Sequence, residues 1–241
     1  MIDWNIRFSE QLKWTYEFRS HIYKIINLET KTNLLEIGCG TGALLKEIGK
    51  EFNLNLYGID IDERRLKIAK DNLNQENIKV NLQYMDILNN NFEDERFEVI
   101  ITHYLFLWIK DLEKCFNEIH RILKKEGILL ILAEPDYGGV IESPETGLKD
   151  ALISNLKDNG ADPEVGRKMN QYFSQKFEIV ERYCISVPWI SSKNKDNLLK
   201  ELKFFEKILT NHNFKNKKMN VAIENDKYFL FIPIFSYILK K

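Results

Sequence analysis

Between Leu34 and Ala133 the chain alternates short apolar runs with amphipathic stretches, and no other feature restricts its fold as tightly. The apolar runs are Leu34–Ile37, Leu54–Ile59, Val80–Met85, Glu98–Thr102 and Ile128–Ala133. The helical stretches between them are Ala43–Glu51, Glu63–Asn74 and Leu112–Lys124. Apolar strands alternating with helices predict an α/β fold: a doubly wound, Rossmann-like sheet with helices on both faces. Ahead of it, Trp4 to Leu28 reads as one or two amphipathic helices, with Trp14, Phe18, Ile22, Ile25 and Ile26 near helical spacing.

After Ala133 the rhythm changes. Ser143-Pro144-Glu145 carries the cap and first-turn proline of a helix start, and Asp162-Pro163-Glu164 repeats the signal for a helix through about Ser174. Phe177–Val187 is a predicted strand, Leu198–Leu209 a helix followed by a Lys/Asn-rich tail, and Lys227–Ile238 a closing strand. Two late strands without a full crossover helix predict an antiparallel pair at the sheet edge. The expectation is a seven-stranded sheet, mostly parallel with an antiparallel last strand. With no internal repeat or linker, residues 1–241 read as a single domain, residues 1–30 forming an N-terminal helical cap and 140–220 an acceptor-side insertion.

The 241 residues suffice to bury a full core. A net charge of −1 gives no global basic field and so argues against nucleic acid as an obligate partner. Cys39, Cys115 and Cys184 are scattered, which suggests neither a zinc site nor a disulfide framework. The start of the chain lacks the pattern of a signal peptide, and the apolar run Tyr228 to Leu239 is broken by Pro233 and Ser236. A cytoplasmic protein without membrane insertion is the expectation.

The chemistry centres on Leu34-Leu35-Glu36-Ile37-Gly38-Cys39-Gly40-Thr41-Gly42-Ala43, where a strand runs through a glycine turn into a helix. Alternate glycines let backbone approach a ligand, and a helix start presents unpaired N–H groups. In an open α/β sheet the ligand lies at the carboxyl ends of the strands. The second strand ends in Asp60, placed to accept hydrogen bonds from ribose hydroxyls; the third ends in Asp86, placed to meet an adenine amino group. Asp62 is better read as the cap of the next helix. A dinucleotide such as NAD is the alternative, because Gly38-x-Gly40-x-x-Ala43 satisfies that fingerprint. Glu36 favours a ligand carrying an ammonium group over a pyrophosphate.

Glu36-x-Gly38-x-Gly40-x-Gly42, Asp60, Asp86 and Phe97-Glu98-Val99-Ile100-Ile101-Thr102 resemble the successive motifs of class I S-adenosylmethionine-dependent methyltransferases. Asn117-Glu118-Ile119-His120-Arg121-Ile122-Leu123-Lys124-Lys125-Glu126-Gly127 resembles the ubiquinone/menaquinone-methyltransferase-like group (methyltransferase type 11/25), with Lys-Glu-Gly where Pro-Gly-Gly is common. The resemblance covers residues 12–135 and reaches the last third by architecture only. It implies S-adenosylmethionine as cofactor and S-adenosylhomocysteine as product. It further implies that Gly38, Cys39, Gly40 and Gly42 pack on the methionine and ribose, with Glu36 near the ammonium. Asp60 and Ile61 would then serve ribose and adenine, Asp86 and Ile87 the adenine, and Arg19 the methionine carboxylate.

Methyl transfer from a sulfonium is an in-line displacement, so alignment matters most and a base only when the acceptor must lose a proton. Thr102 to Trp108 and Glu134 to Gly139 should face the methyl group. His103 is the candidate base and a cofactor neighbour, and Tyr137 the second catalytic candidate. Tyr104, Phe106 and Trp108 read as core rather than pocket, whereas Glu134 and Asp136 are candidates for the acceptor wall. Gly138-Gly139 would let the following segment move as a lid. No Asn/Asp-Pro-Pro-Tyr/Phe follows the fourth strand, against base-amine methylation, and no Pro-Cys pair supports cytosine chemistry. Lys193–Lys218 holds eight Lys and three acids, read as a solvated face. A small-molecule acceptor is the expectation; a protein, peptide or RNA acceptor, or cofactor binding without catalysis, stays open.

Overall fold

The computed structural model describes residues 3–173, 175–186 and 189–241. Helices α1 (Trp4–Trp14) and α2 (Tyr16–Ile25) precede strand β1 (Asn33–Ile37). Then α3 (Ala43–Glu51), β2 (Asn55–Asp60), α4 (Glu63–Gln75), β3 (Val80–Tyr84), β4 (Phe97–His103), α5 (Leu112–Ile122) and β5 (Leu123–Pro135) follow. The remainder comprises β6 (Ile141–Ser143), α6 (Leu148–Asp158), α7 (Val165–Lys168), α8 (Asn170–Phe173), β7 (Glu178–Ile185) and β8 (Trp189–Ile190). It ends in α9 (Ser191–Ile208), α10 (Asn216–Glu224), β9 (Phe229–Phe231) and β10 (Ile234–Lys240).

The seven-stranded sheet has the order β3-β2-β1-β4-β5-β10-β7. Strands β1 to β5 pair in parallel, and β10 runs antiparallel between β5 and β7. Alternation along each strand separates two cores. Leu35, Ile37 and Ile100 pack with Cys115, Phe116 and Ile119 of α5 on one face. Leu34, Val99 and Ile101 pack with Ile22 and Tyr23 of α2 and Leu44, Leu45 and Ile48 of α3 on the other. Burying each such side chain contributes about 1.5–3 kcal/mol. Asp62 caps α4 through the Arg64 N–H and Asp111 caps α5 through the Lys114 N–H, which fixes where each helix leaves the strand-end edge.

A second, three-stranded sheet of order β6-β9-β8 was not expected from the sequence. With α6, α9 and α10 it builds a third core around Leu148, Leu152, Leu198, Leu202, Phe205, Met219 and Leu230. The predicted closing strand is therefore two strands in two sheets, split at Ile232-Pro233. The helix expected at Ser143-Pro144 begins instead at Leu148. Glu142 reaches forward to accept the Leu148 N–H at 3.0 Å, and Gly147 enters the helix at φ +79°. The helix predicted from Asp162 is two short turns, α7 and α8; Ser174, its expected end, and Val187, the expected end of β7, lie outside the described residues. The Lys/Asn-rich tail contains α10. Among the described residues, no helix is long and apolar enough to cross a membrane.

Candidate functional site

The carboxyl ends of β1, β2, β3 and β4 open into one cavity of about 1190 Å³, roofed by α1, α6 and α9. At its floor lies the glycine turn. Gly38 stands at φ +74°, and a Cβ there would come within 2.9 Å of Leu105 Cδ1. Gly40, at φ +52°, lies under the Phe8 ring of α1, 3.1 Å from where its Cβ would be. Both glycines border the cavity, and the lack of a Cβ lets Leu105 and Phe8 close on the turn.

The N–H groups of this turn are spent inside the fold. Gly38 and Cys39 donate to the Ile59 carbonyl at 2.8 and 3.0 Å, and Gly40 donates to Asp60 Oδ2 at 2.8 Å. The expected unpaired donors are therefore tied to β2 at these three positions. A pyrophosphate would need such donors, so the site favours a ligand without one. Gly42 does not line the cavity; its missing Cβ lets α3 close on Ala69 and Leu73 of α4.

Asp60 is buried, and Asp62 N–H bonds its Oδ1 at 2.9 Å. Each of its oxygens keeps a lone pair for a hydroxyl. Glu36 is 3 % exposed, lines the cavity, and its Oε2 has no partner among the described residues. Burial first, and then the Asp60 charge, push its carboxyl well above the ordinary range. An unpaired buried acceptor beside a second acid is suited to a bound ammonium. Asp86 spends Oδ1 on the Leu88 N–H at 2.9 Å, and Ile87 lies buried beside it. Ile61 is 68 % exposed at the rim, an apolar side chain positioned to be covered. Glu36, Gly38, Cys39, Gly40, Asp60, Ile61, Asp86, Ile87 and His103 all border this cavity. An orphaned carboxylate, a glycine cradle and two strand-end acids together fit a nucleoside bearing an amino-acid tail.

Arg19 does not border the cavity. It is fully buried, with Nε on Glu47 Oε1 at 3.0 Å and Nη1 on the Leu12 carbonyl at 2.8 Å and Thr15 Oγ1 at 2.6 Å. Its donors hold α2 to α1 and α3, which replaces the expected contact with a ligand carboxylate.

His103 and Tyr137 both face the cavity. Burial, and then the Arg19 charge, pull the imidazole down to about 3, and its Nε2 has no partner among the described residues. The ring is neutral at neutral pH and a weak proton acceptor. Burial raises the Tyr137 phenol to about 12, so it is a hydrogen-bond donor there. Tyr104 and Trp108, read from sequence as core, line the cavity, while Phe106 is core. Tyr104 sits at φ +55°, a left-handed backbone that turns its side chain toward the site.

Glu134 and Asp136 are not on the acceptor wall. Glu134 accepts the N–H groups of Leu105, Phe106 and Leu107 at 3.0–3.2 Å and so holds the turn after β4. Asp136 takes the Arg167 guanidinium through Nε at 2.6 Å and Nη2 at 2.7 Å. Gly138 and Gly139 are packed rather than hinged, since a Cβ would run into Glu164 Oε1 at the first and Pro233 Cγ at the second. Sequence reasoning missed Arg7 and Trp14 of α1 and Glu201 and Phe204 of α9, which wall the far half. Polar Arg7 and Gln11 on the helical stripe with Trp4, Phe8 and Trp14 were the available signal.

The strand order and the cavity at the strand ends describe a Rossmann-like α/β fold with its site at the carboxyl edge of the sheet. Residues 35–131 match the protein family described as "Methyltransferase domain". It is 33% identical over 129 residues to phosphoethanolamine N-methyltransferase 2 of Caenorhabditis elegans, covering 52% of this chain and 30% of that one. The chain spans 30–53% of the length of the first curated relatives it matches. The crystal structure of MccD protein superposes with a TM-score of 0.66 at 20% identity, covering 92% of this chain and 95% of that one. A Haemonchus contortus phosphoethanolamine N-methyltransferase 2, in complex with phosphomonomethylethanolamine and S-adenosylhomocysteine, superposes at 0.59 and 18% identity, covering 88% and 49%.

Proposed function

We propose that this chain transfers the methyl group of S-adenosylmethionine to a small-molecule acceptor held in the far half of the cavity. One observation carries the reading: a single cavity of about 1190 Å³ joins the nucleoside cradle to an apolar chamber. Pockets for one drug-sized ligand span about 300–1,000 Å³, so a cavity above that range leaves room for a small acceptor beside the donor but not for a folded partner. When bound, the cofactor supplies a sulfonium whose methyl group an acceptor atom can displace in line.

The chain's own residues supply placement. Asp60 and Asp86 take the ribose and adenine, and Glu36 takes the ammonium. Tyr104, His103 and Tyr137 line the cavity, and alignment of the reacting atoms there is worth about 7–11 kcal/mol in favourable systems. The neutral imidazole orients the acceptor through a hydrogen bond, and general-base catalysis by His103 is not required. Residues 1–241 act in this reading as one domain, with the small sheet and α6, α9 and α10 closing the acceptor side.

Calorimetric titration with S-adenosylhomocysteine tests the donor half, and a saturable isotherm is expected. A nicotinamide dinucleotide binding more tightly than S-adenosylhomocysteine would overturn the reading. A screen of cell extract with methyl-labelled donor then identifies the acceptor.

A further inference from the structure

The roof of the cavity contains an ion pair that methyl transfer does not itself require. Arg7 of α1 meets Glu201 of α9 through Nη1 and Oε1, with side chains only 11% and 7% exposed. The guanidinium lies 3.9 Å from the Phe204 ring centroid and 4.9 Å from that of Trp14. Nη1 makes its only side-chain hydrogen bond among the described residues, and its Nε is buried with no partner. Leaving a buried donor unpaired costs about 1–3 kcal/mol. Both members of the pair border the cavity, so a ligand there can supply what the fold does not.

We infer that Arg7 anchors the acceptor, and that the acceptor carries a carboxylate joining Glu201 at the guanidinium while its apolar body lies against Trp189, Phe205 and Ile232. The inference rests on reading the far half of the cavity as the acceptor site. The planar fork of arginine matches a carboxylate in two parallel bonds. An ammonium is disfavoured because the guanidinium already covers the aromatic faces that would hold a second cation. A phosphate is disfavoured because it brings two negative charges to a guanidinium of single charge that already meets Glu201. Burial raises the Glu201 carboxyl, which eases the approach of another acid. Trp189 packs edge-on to Trp14 at 4.8 Å, so indole emission reports on the chamber.

The test uses protein saturated with S-adenosylhomocysteine, titrated with 3-phenylpropanoate, its amide, 3-phenylpropylamine and phenylphosphonate. Tryptophan fluorescence and calorimetry are the readouts. The carboxylate should bind about ten-fold or more tighter than the other three. Arg7→Met should erase that preference with S-adenosylhomocysteine affinity unchanged, Arg7→Lys should reduce it, and Glu201→Gln should preserve or strengthen it. Equal binding of acid and amide, no binding by any of the four, or tighter binding of the amine or phosphonate overturns the inference in the wild-type protein alone. Survival of the preference in Arg7→Met overturns it as well. Failure of S-adenosylhomocysteine to bind the wild-type protein is a separate outcome, which removes the donor reading instead.

Discussion

The floor and the roof of the cavity are built by different rules. The floor, residues 33–135, consists of successive strand–helix units whose ends are pinned by Asp60, Asp62, Asp86 and Asp111. The roof brings together α1, α6, α9 and a three-stranded sheet, and its main polar link joins Arg7 to Glu201 across 194 positions. The floor presents backbone and strand-end acids to the cavity, and the roof presents aromatic side chains and the Arg7–Glu201 pair. A cofactor site can thus stay fixed in register while the acceptor chamber depends on contacts distant in the chain.

The largest effects should appear in stability, where the two regions either unfold together or come apart. Ile100→Ala, in the sheet core, is expected to cost about 2–5 kcal/mol in denaturant unfolding. Leu198→Ala in the roof core should cost a similar amount if roof and floor unfold together. A second transition with Leu198→Ala would show that they are separate units. Asp60→Ala should weaken S-adenosylhomocysteine by about 100-fold or more, since it removes the hydroxyl acceptor and releases the Gly40 N–H, a loss near 2.7 kcal/mol. Unchanged affinity in calorimetry would remove Asp60 from the ribose.

His103 sharpens the contrast through pH. Its folded-state value, about 3, lies below the ordinary 6.5, so the unfolded chain takes up a proton first as pH falls. The neutral ring's contribution is intact above pH 6.5 and is lost between 6.5 and about 3. Its share of the slope is at most about 1.4 kcal/mol per pH unit. His103→Gln should flatten the stability profile across that window in chemical denaturation, and parallel profiles would contradict the burial argument. The smallest effect is expected for Tyr137→Phe: S-adenosylhomocysteine affinity should stay level, while acceptor KM rises by about five-fold, or about 1 kcal/mol, for one lost neutral hydrogen bond.

The floor was legible because its signals are local. Alternating runs gave the five parallel strands, Ala43–Glu51 matched α3, and the acids after β2 and β3 fell on the cavity. Misreadings arose where a distant group overrode a local signal. Glu142 caps a helix six residues on and leaves Pro144 outside it. Arg167 claims Asp136, and Glu47 claims Arg19. Phe229–Phe231 and Ile234–Lys240 read as one strand because hydropathy carries no record of which sheet a residue joins. Arg7 gave only a polar break in an aromatic stripe, too little to reveal a partner on α9.

Helix α1 lays Phe8 over the Gly40 backbone and sends Arg7 toward Glu201, so one segment shelters both ends of the cavity. Two molecules that share a cover do not enter independently. With donor and acceptor placed as proposed, the donor is expected to bind first and leave last, giving sequential kinetics in which the spent donor is released only after the methylated product.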